Sequence, residues 1–405
     1  MYKYVIDEIK YKIIILKTTF LKMNTFRFLL ISLCLIQFAF GFKLNNTFIH
    51  RRGVYKVIGL NTNLPNVDYT ATSGTDGSIK IWDVTNQMLK FTFDRSNGGH
   101  TGKIESLASL TNGFLASGSL DQAIKIWDVQ NGTLKYTFDG SNGGHTFPVY
   151  SLASLKSNFL ASGSEDGTIK IWDVTSGVFK YTFNESNGGH SDIVWSLTEL
   201  ENGLMASASS DESVKIWDIT TGVLKYTFDS KNGGHSMAVY SLELLENGFL
   251  ASGSIDQTVK IWDISNGKLK FTFNQTTSGS LFPSYVYSLA SLESGLLASG
   301  SYDGVIKIWD ITNGRLMFTF DQTNGGHTAI VNSLASLPNG LLSSCSYDST
   351  IKIWDITSGQ LKFTFDETNG GHTYGVNSLA MLNSGLLASG SSDETMKTWD
   401  INNTK

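Results

Sequence analysis

Ile79-Lys80-Ile81-Trp82-Asp83 is the stretch that decides the fold. Nearly the same five residues return seven more times along the 405-residue chain. The Trp-Asp pairs fall at 82/83, 127/128, 172/173, 217/218, 262/263, 309/310, 354/355 and 399/400. The step is 45 residues everywhere except between Trp262 and Trp309, where it is 47. A fixed period of this size with one Trp-Asp stretch per copy points to an array of β-units packed against one another. Length alone would allow two or three ordinary domains, but the repeat overrides that prior, because such arrays grow by adding units to one ring.

Composition agrees. Forty glycines stand against only four prolines, which suits many tight turns between strands that must keep their ladders. The formal charge of −5 is mild, and no concentrated basic face is visible, so a nucleic-acid partner is not expected. The two cysteines, Cys34 and Cys345, make neither a disulfide framework nor a zinc spacing. No metal or other cofactor is expected.

Residues 1–41 read separately from 42–405. From Met23 the chain runs Met-Asn-Thr-Phe-Arg, then an apolar stretch from Phe28 to Phe40, then Gly41. A basic start at Arg27, a short apolar run and small residues at Ala39 and Gly41 are the layout of a secretory signal peptide cleaved after Gly41, which implies a secreted protein. A signal anchor, which would hold the chain at a membrane, and an apolar leader without a targeting role are the alternative readings. Sequons at Asn45, Asn131, Asn184, Asn274 and Asn402 are glycosylation candidates compatible with secretion. Turns rich in Asn, Ser and Thr also produce them by composition.

One unit, His100 to Gly144, shows the local plan. Ile104, Leu107 and Leu110 mark a buried strand, Asn112-Gly113 a turn, and Phe114 to Ser119 a second strand. Asp121 and Gln122 mark a tight turn before the strand Ile124 to Trp127. Asn131-Gly132 is a hairpin signal, and Leu134 to Phe138 alternates as a fourth strand. Four short antiparallel strands form a sheet that would expose both faces alone and buries them when packed radially between neighbours.

In these residues the chain resembles the WD-repeat β-propellers over residues 42–405. The resemblance implies an all-β fold of eight four-stranded blades. It also implies a structural tetrad in each repeat, joining the His of a Gly-His pair, a Ser or Thr, the turn Asp and the Trp. Here those are His100, Ser117, Asp121 and Trp127; His145, Ser162, Asp166 and Trp172; His190, Ser207, Asp211 and Trp217; and His235, Ser252, Asp256 and Trp262. The seventh and eighth repeats match with His327, Ser344, Asp348 and Trp354 and with His372, Ser389, Asp393 and Trp399. A buried indole N–H, imidazole and carboxylate must all find partners, and together they can. The Ser, His and Asp content does not read as a protease, because a catalytic triad occurs once and is served by an oxyanion hole, whereas this set recurs with a Trp attached. One His per blade around a wide ring cannot converge on one metal ion either.

Two repeats depart. In the first, His50, Thr72, Asp76 and Trp82 are expected to complete the set, with extra residues in the loop Asn61 to Val67. In the sixth, Ser299, Asp303 and Trp309 remain, but Thr276 to Ser284 contains no His, so its tetrad reads as broken and that loop as specialised. The last unit stops after its third strand. The resemblance implies that Phe42 to Phe48 supplies the missing outer strand and closes the ring, abolishing exposed edges.

By the same resemblance, partner contacts come from the residue after the first apolar position of each inner strand. These are Tyr55, Glu105, Tyr150, Trp195, Tyr240, Tyr287, Asn332 and Asn377, all aromatic in blades three to six. A second position, just before the turn Asp, gives Thr75, Leu120, Glu165, Ser210, Ile255, Tyr302, Tyr347 and Ser392. Tyr285 should point the same way as Tyr287. The expectation is an aromatic arc around one channel mouth, bordered by Glu105 and Glu165. It suits a non-enzymatic scaffold that binds a protein or peptide. A carbohydrate or small-ligand binder is the alternative, and a hydrolase using the two carboxylates is a third reading.

Overall fold

The computed structural model describes residues 42–61, 67–246 and 248–401. The leader at 1–41, most of the stretched loop at 61–67 and the sequon at Asn402 therefore lie outside the described residues.

Eight four-stranded sheets follow one another around a ring. Seven are built from strands consecutive in the chain, blade one running from Val54–Leu60 to Met88–Phe93 and blade two from Ile104–Ser109 to Thr133–Phe138. The eighth takes Val376–Met381, Leu386–Ser391 and Thr395–Asp400 from the end of the chain and Lys43–Ile49 from its beginning. The expected N-terminal closing strand is thus present, and the ring carries no unpaired strand at that join.

The strands differ in burial because the sheets pack face to face. In blade two the second strand, Phe114–Ser119, is buried almost throughout, whereas the outer strand Thr133–Phe138 alternates exposed and covered positions. The core lies between blades. Ile79, Ile81 and Phe93 of blade one close against Ile104, Leu107, Leu115 and Trp127 of blade two. Each Trp of the repeated stretch packs against the outer-strand Phe of the preceding blade, and most of these pairs are stacked: Phe93 on Trp127 at 4.4 Å, Phe138 on Trp172 at 4.3 Å and Phe228 on Trp262 at 4.3 Å between ring centres. Such pairs add about 0.5–1.5 kcal/mol beyond the area they bury. The repeated signature therefore works at the seams.

A short 3-10 turn joins most blades. Asp94 accepts a hydrogen bond from the Ser96 N–H, and Asn97 returns one from the Asp94 N–H at 2.9 Å. Gly98 takes a left-handed φ of 86°, and a Cβ on Gly99 would collide with the Asp94 carbonyl, so this turn requires both glycines before His100. The same reciprocal cap forms at Asp139, Asn184, Asp229, Asp321 and Asp366.

Candidate interaction face at the channel mouth

The tetrads fix the frame on which the mouth is carried. In blade two the Trp127 indole donates to Ser117 Oγ at 2.9 Å. Ser117 Oγ lies 2.7 Å from His100 Nε2, and His100 Nδ1 lies 2.9 Å from Asp121. One proton arrangement satisfies the whole chain: indole to hydroxyl, hydroxyl to Nε2, Nδ1–H to carboxylate. The same connections form around His145, His190, His235, His327 and His372. Burial pushes the imidazoles of those five below the usual histidine range. Hydrogen bonds from the paired histidines hold Asp121, Asp166 and Asp211 well below the usual carboxylate range, against the opposing effect of burial. All six seryl hydroxyl groups, Ser117 among them, sit on residues with no solvent exposure.

Blades one and six depart from the sequence expectation in opposite directions. In blade one Trp82 still donates to Thr72 Oγ1 at 2.8 Å, but neither ring nitrogen of the buried His50 has a hydrogen-bond partner among the described residues. The set is therefore incomplete. Elsewhere the N–H after the histidine anchors the aspartate, as Thr101 does for Asp121 at 2.8 Å. Here that residue is Arg51, whose φ is 73°, and Asp76 keeps the bond from the hydroxyl two residues on, Ser78 at 2.6 Å, which intact blades also make, as Thr168 does to Asp166. In blade six the chain of bonds is rejoined without a histidine. Ser299 Oγ donates to Gln275 Oε1 at 2.7 Å, Gln275 Nε2 donates to Ser301 Oγ at 3.2 Å, and Ser301 Oγ donates to Asp303 at 2.6 Å. An amide is both donor and acceptor, so it bridges as an imidazole does. Gln275 sits just before the segment that lacks a His.

At the start of each inner strand the ladder slips by one residue. In blade three, Val149 faces Ser164 but Ser151 faces Gly163, leaving Tyr150 as the extra residue of a bulge. The same slip isolates Tyr55, Glu105, Trp195, Tyr240, Tyr287, Asn332 and Asn377. A bulge re-aims the side chain it carries, which is why this position serves the mouth in every blade.

The aromatic residues among them form an unbroken chain. Ring centres are 4.7 Å apart for Tyr150 and Trp195, 4.9 Å for Trp195 and Tyr240, and 5.2 Å for Tyr240 and Tyr287. Tyr302 continues it at 6.2 Å from Tyr287, and Tyr285 and Phe282 both meet Tyr302. The Trp195 indole is satisfied by Ser210 Oγ at 2.7 Å. Tyr55 lies apart from this chain, under the Lys103 ammonium at 3.3 Å. Tyr347 is 61% exposed and makes no ring contact among the described residues.

The two bordering carboxylates are engaged. Glu105 pairs with Lys103 at 3.0 Å, and Glu165 accepts from the Tyr150 hydroxyl at 3.2 Å. Burial and Glu165 together push the Tyr150 phenol up to about 12. On the far side of the ring, Asn332 and Asn377 donate to the Val376 and Val54 carbonyls, stitching blade to blade where the aromatics stop.

Further apolar side chains stand exposed on the loops that lead into the inner strands: Phe147, Met237, Leu281, Phe282 and Tyr374. Sequence reading missed these; for Phe147, Met237 and Tyr374 the signal was a large side chain two places after the histidine of the Gly-His pair, where other repeats carry Gly102, Asp192 or Ala329. The inner strands below line a channel cavity of about 270 Å³, with Lys56, Ser106, Ser151 and Ser241 among its walls. Of the sequons, Asn45 is exposed on the closing strand, whereas Asn131, Asn184 and Asn274 use their side-chain amides within turns.

A family model described as "WD domain, G-beta repeat" matches eight stretches, residues 43–83, 90–128, 132–173, 177–218, 222–263, 271–310, 315–355 and 359–400. No curated protein matches the chain. Among solved structures the chain is similar to the computationally designed Ika8 protein in its crystal structure, with a TM-score of 0.71 and 27% identity, covering 89% of this chain and 99% of that one.

Proposed function

The chain belongs to the WD-repeat family, and from that premise we propose that it is a non-enzymatic scaffold binding a protein or peptide on the face around its channel. The observation that carries this reading is the aromatic chain from Tyr150 to Tyr302, laid across four consecutive blades at bulge and turn positions. Near-identical repeats hold the scaffold constant, so what differs between them stands out against it. Tyr and Trp offer large contact area with few rotatable bonds and keep a polar tip for orientation. The exposed Phe147, Met237, Phe282 and Tyr374 extend apolar surface outward from the arc on the same end of the blades. An apolar rim of that kind fits a macromolecular partner better than a small solute.

The non-enzymatic part rests on access. Every tetrad serine is fully buried and already donates within its own network, so no substrate reaches that hydroxyl. Glu105 and Glu165 are each held by a neighbour instead of standing open as an acid and base pair.

Full-length protein and its Tyr150→Ala/Tyr240→Ala variant, probed in parallel on peptide and glycan arrays, test the proposal. Peptide binding that falls at least about tenfold in the variant is the expected result. Binding confined to glycans, or peptide binding indifferent to both tyrosines, would overturn it.

A further inference from the structure

Immediately after the bulge, each inner strand places one residue against the channel. From Ser106 in blade two to Ser378 in blade eight it is always serine; in blade one it is Lys56. A single ammonium therefore stands in a ring otherwise made of hydroxyls.

The hydroxyls are oriented by the blades. Ser106 Oγ accepts the Leu152 N–H at 3.1 Å, Ser151 Oγ the Leu197 N–H at 2.9 Å, and Ser378 Oγ the Val57 N–H at 3.2 Å. An oxygen whose lone pair is held by a backbone N–H keeps its proton to give elsewhere. Ser288 and Ser378 also donate to the Val331 and Val57 carbonyls, at 3.3 and 3.5 Å, so Ser106 and Ser151 are the accepting hydroxyls that keep a donor for the channel. In blade five, opposite blade one in a ring of eight, Ser241 Oγ is buried with no hydrogen-bond partner among the described residues.

Lys56 completes the pattern. Its backbone N–H bonds to Ser73 Oγ, but its ammonium makes no hydrogen bond or ion pair with any described residue. The carboxylate with most influence on it, Glu105, is already bonded to Lys103. Burial, and to a lesser degree the Lys103 charge, push the Lys56 ammonium below the usual lysine range, with Glu105 acting against them. The Tyr55 ring centre lies 5.6 Å from this ammonium, but no acceptor among the described residues is hydrogen-bonded to it, an arrangement that costs free energy until one arrives.

We propose that the central channel binds a small oxyanion or a carboxylate group on Lys56, with seryl hydroxyls of the neighbouring inner strands as its further donors. An acceptor-only group matches this wall; a cation meets the ammonium. A cavity of about 270 Å³ admits a tetrahedral oxyanion with some of its water, or a carboxylate side chain lowered from the mouth. Tyr150, Trp195, Tyr240 and Tyr287 of the aromatic arc line the same cavity, but the anion site rests on Lys56 and the seryl hydroxyls and stands whether or not the arc holds a partner.

The test uses the full chain at low ionic strength, where exposed charges are least screened. Inorganic phosphate, followed by its phosphorus NMR signal, probes the free ion, and N-acetyl-aspartate amide, followed by calorimetry, probes a peptide-borne carboxylate. Lys56→Ser installs the residue found at this place in the other blades, so the variant is expected to melt like the parent. Saturable binding of at least one probe, weakened about tenfold or more in Lys56→Ser and largely kept in Lys56→Arg, is the result expected. The tighter probe identifies the source of the anion. Binding equal in parent and Lys56→Ser, or no saturable binding of either probe by the parent, would overturn the proposal. If Lys56→Ser melts early, Lys56→Gln takes its place with the same outcomes.

Discussion

Between blades one and two, Phe93 lies 4.4 Å from Trp127 and nearly parallel to it, and His100 is held at both ring nitrogens. Between blades eight and one, Phe48 lies 5.3 Å from Trp82 at 54°, and His50 is held at neither. The residue types are the same. What differs is the delivery: seven positions separate Phe93 from His100, including the capped turn, but only two separate Phe48 from His50. Where that turn is missing, a cavity of about 580 Å³ remains beside His50, Asp76, Lys80 and Asp94. A tetrad therefore depends on the turn that presents its histidine as much as on the four residues. Blade six makes the converse point, since Gln275 restores the connection with no histidine present.

Cutting the closing seam should have the largest effect. Deleting residues 42–50 removes the outer strand of blade eight and Phe48 together, and is expected to lower the melting temperature more than any point substitution. A melting temperature equal to the parent's would show that the closing strand is dispensable.

Next comes a paired substitution. His100→Ala strips partners from buried Ser117 and Asp121 and should cost about 3 kcal/mol in denaturant unfolding. His50→Ala removes a group with no partner to lose, and should cost less than about 1 kcal/mol. Equal costs would erase the distinction between the seams.

Glu243 sharpens the comparison from another side. It occupies an inner-strand place that is Ala108, Ala153 or Ala290 in other blades, and burial raises its carboxyl to about 7 while the Ser291 N–H bond opposes the shift. A folded-state value above the unfolded one contributes stability at low pH that is lost as pH rises through about 7. Glu243→Gln should therefore raise stability at pH 8, by on the order of 2 kcal/mol, and change it little at pH 5. Equal effects at both pH values would contradict this.

The histidines run the other way. Buried imidazoles held below the ordinary value of 6.5, with His50 lowered to about 4, contribute stability that is present above 6.5 and lost as pH falls below it. The lowered tetrad aspartates add a further loss below about their ordinary value of 3.8. In the Glu243→Gln background, melting temperature should decline from pH 7 to pH 5, and a flat profile would contradict the neutral tetrads.

Much of this was legible in the sequence because the repeat is an internal ruler. The Trp-Asp spacing set the blade count, and register carried Ser117, Asp121 and their counterparts to the right places. The arc from Tyr150 to Tyr287 was legible as a column of differing residues, but the bulge that aims it depends on the ladder, which no single strand reveals. The isolation of His50 was hidden because a pattern of types does not show how the backbone approaches. Gln275 was hidden because it precedes the segment where a histidine was sought. The Asp/Asn-x-x-Asn-Gly-Gly turn, clear in six repeats, was the available signal that blade one would differ.

The central claim is that the repeated residues hold the ring and the unrepeated aromatics bind. Trp195→Ala/Tyr240→Ala, followed for both melting and peptide-array binding, tests it most directly. The account predicts a loss of stability below about 1–2 kcal/mol, since both side chains are only partly buried, together with loss of peptide binding. Peptide binding retained, or lost only because the variant unfolds, would contradict it.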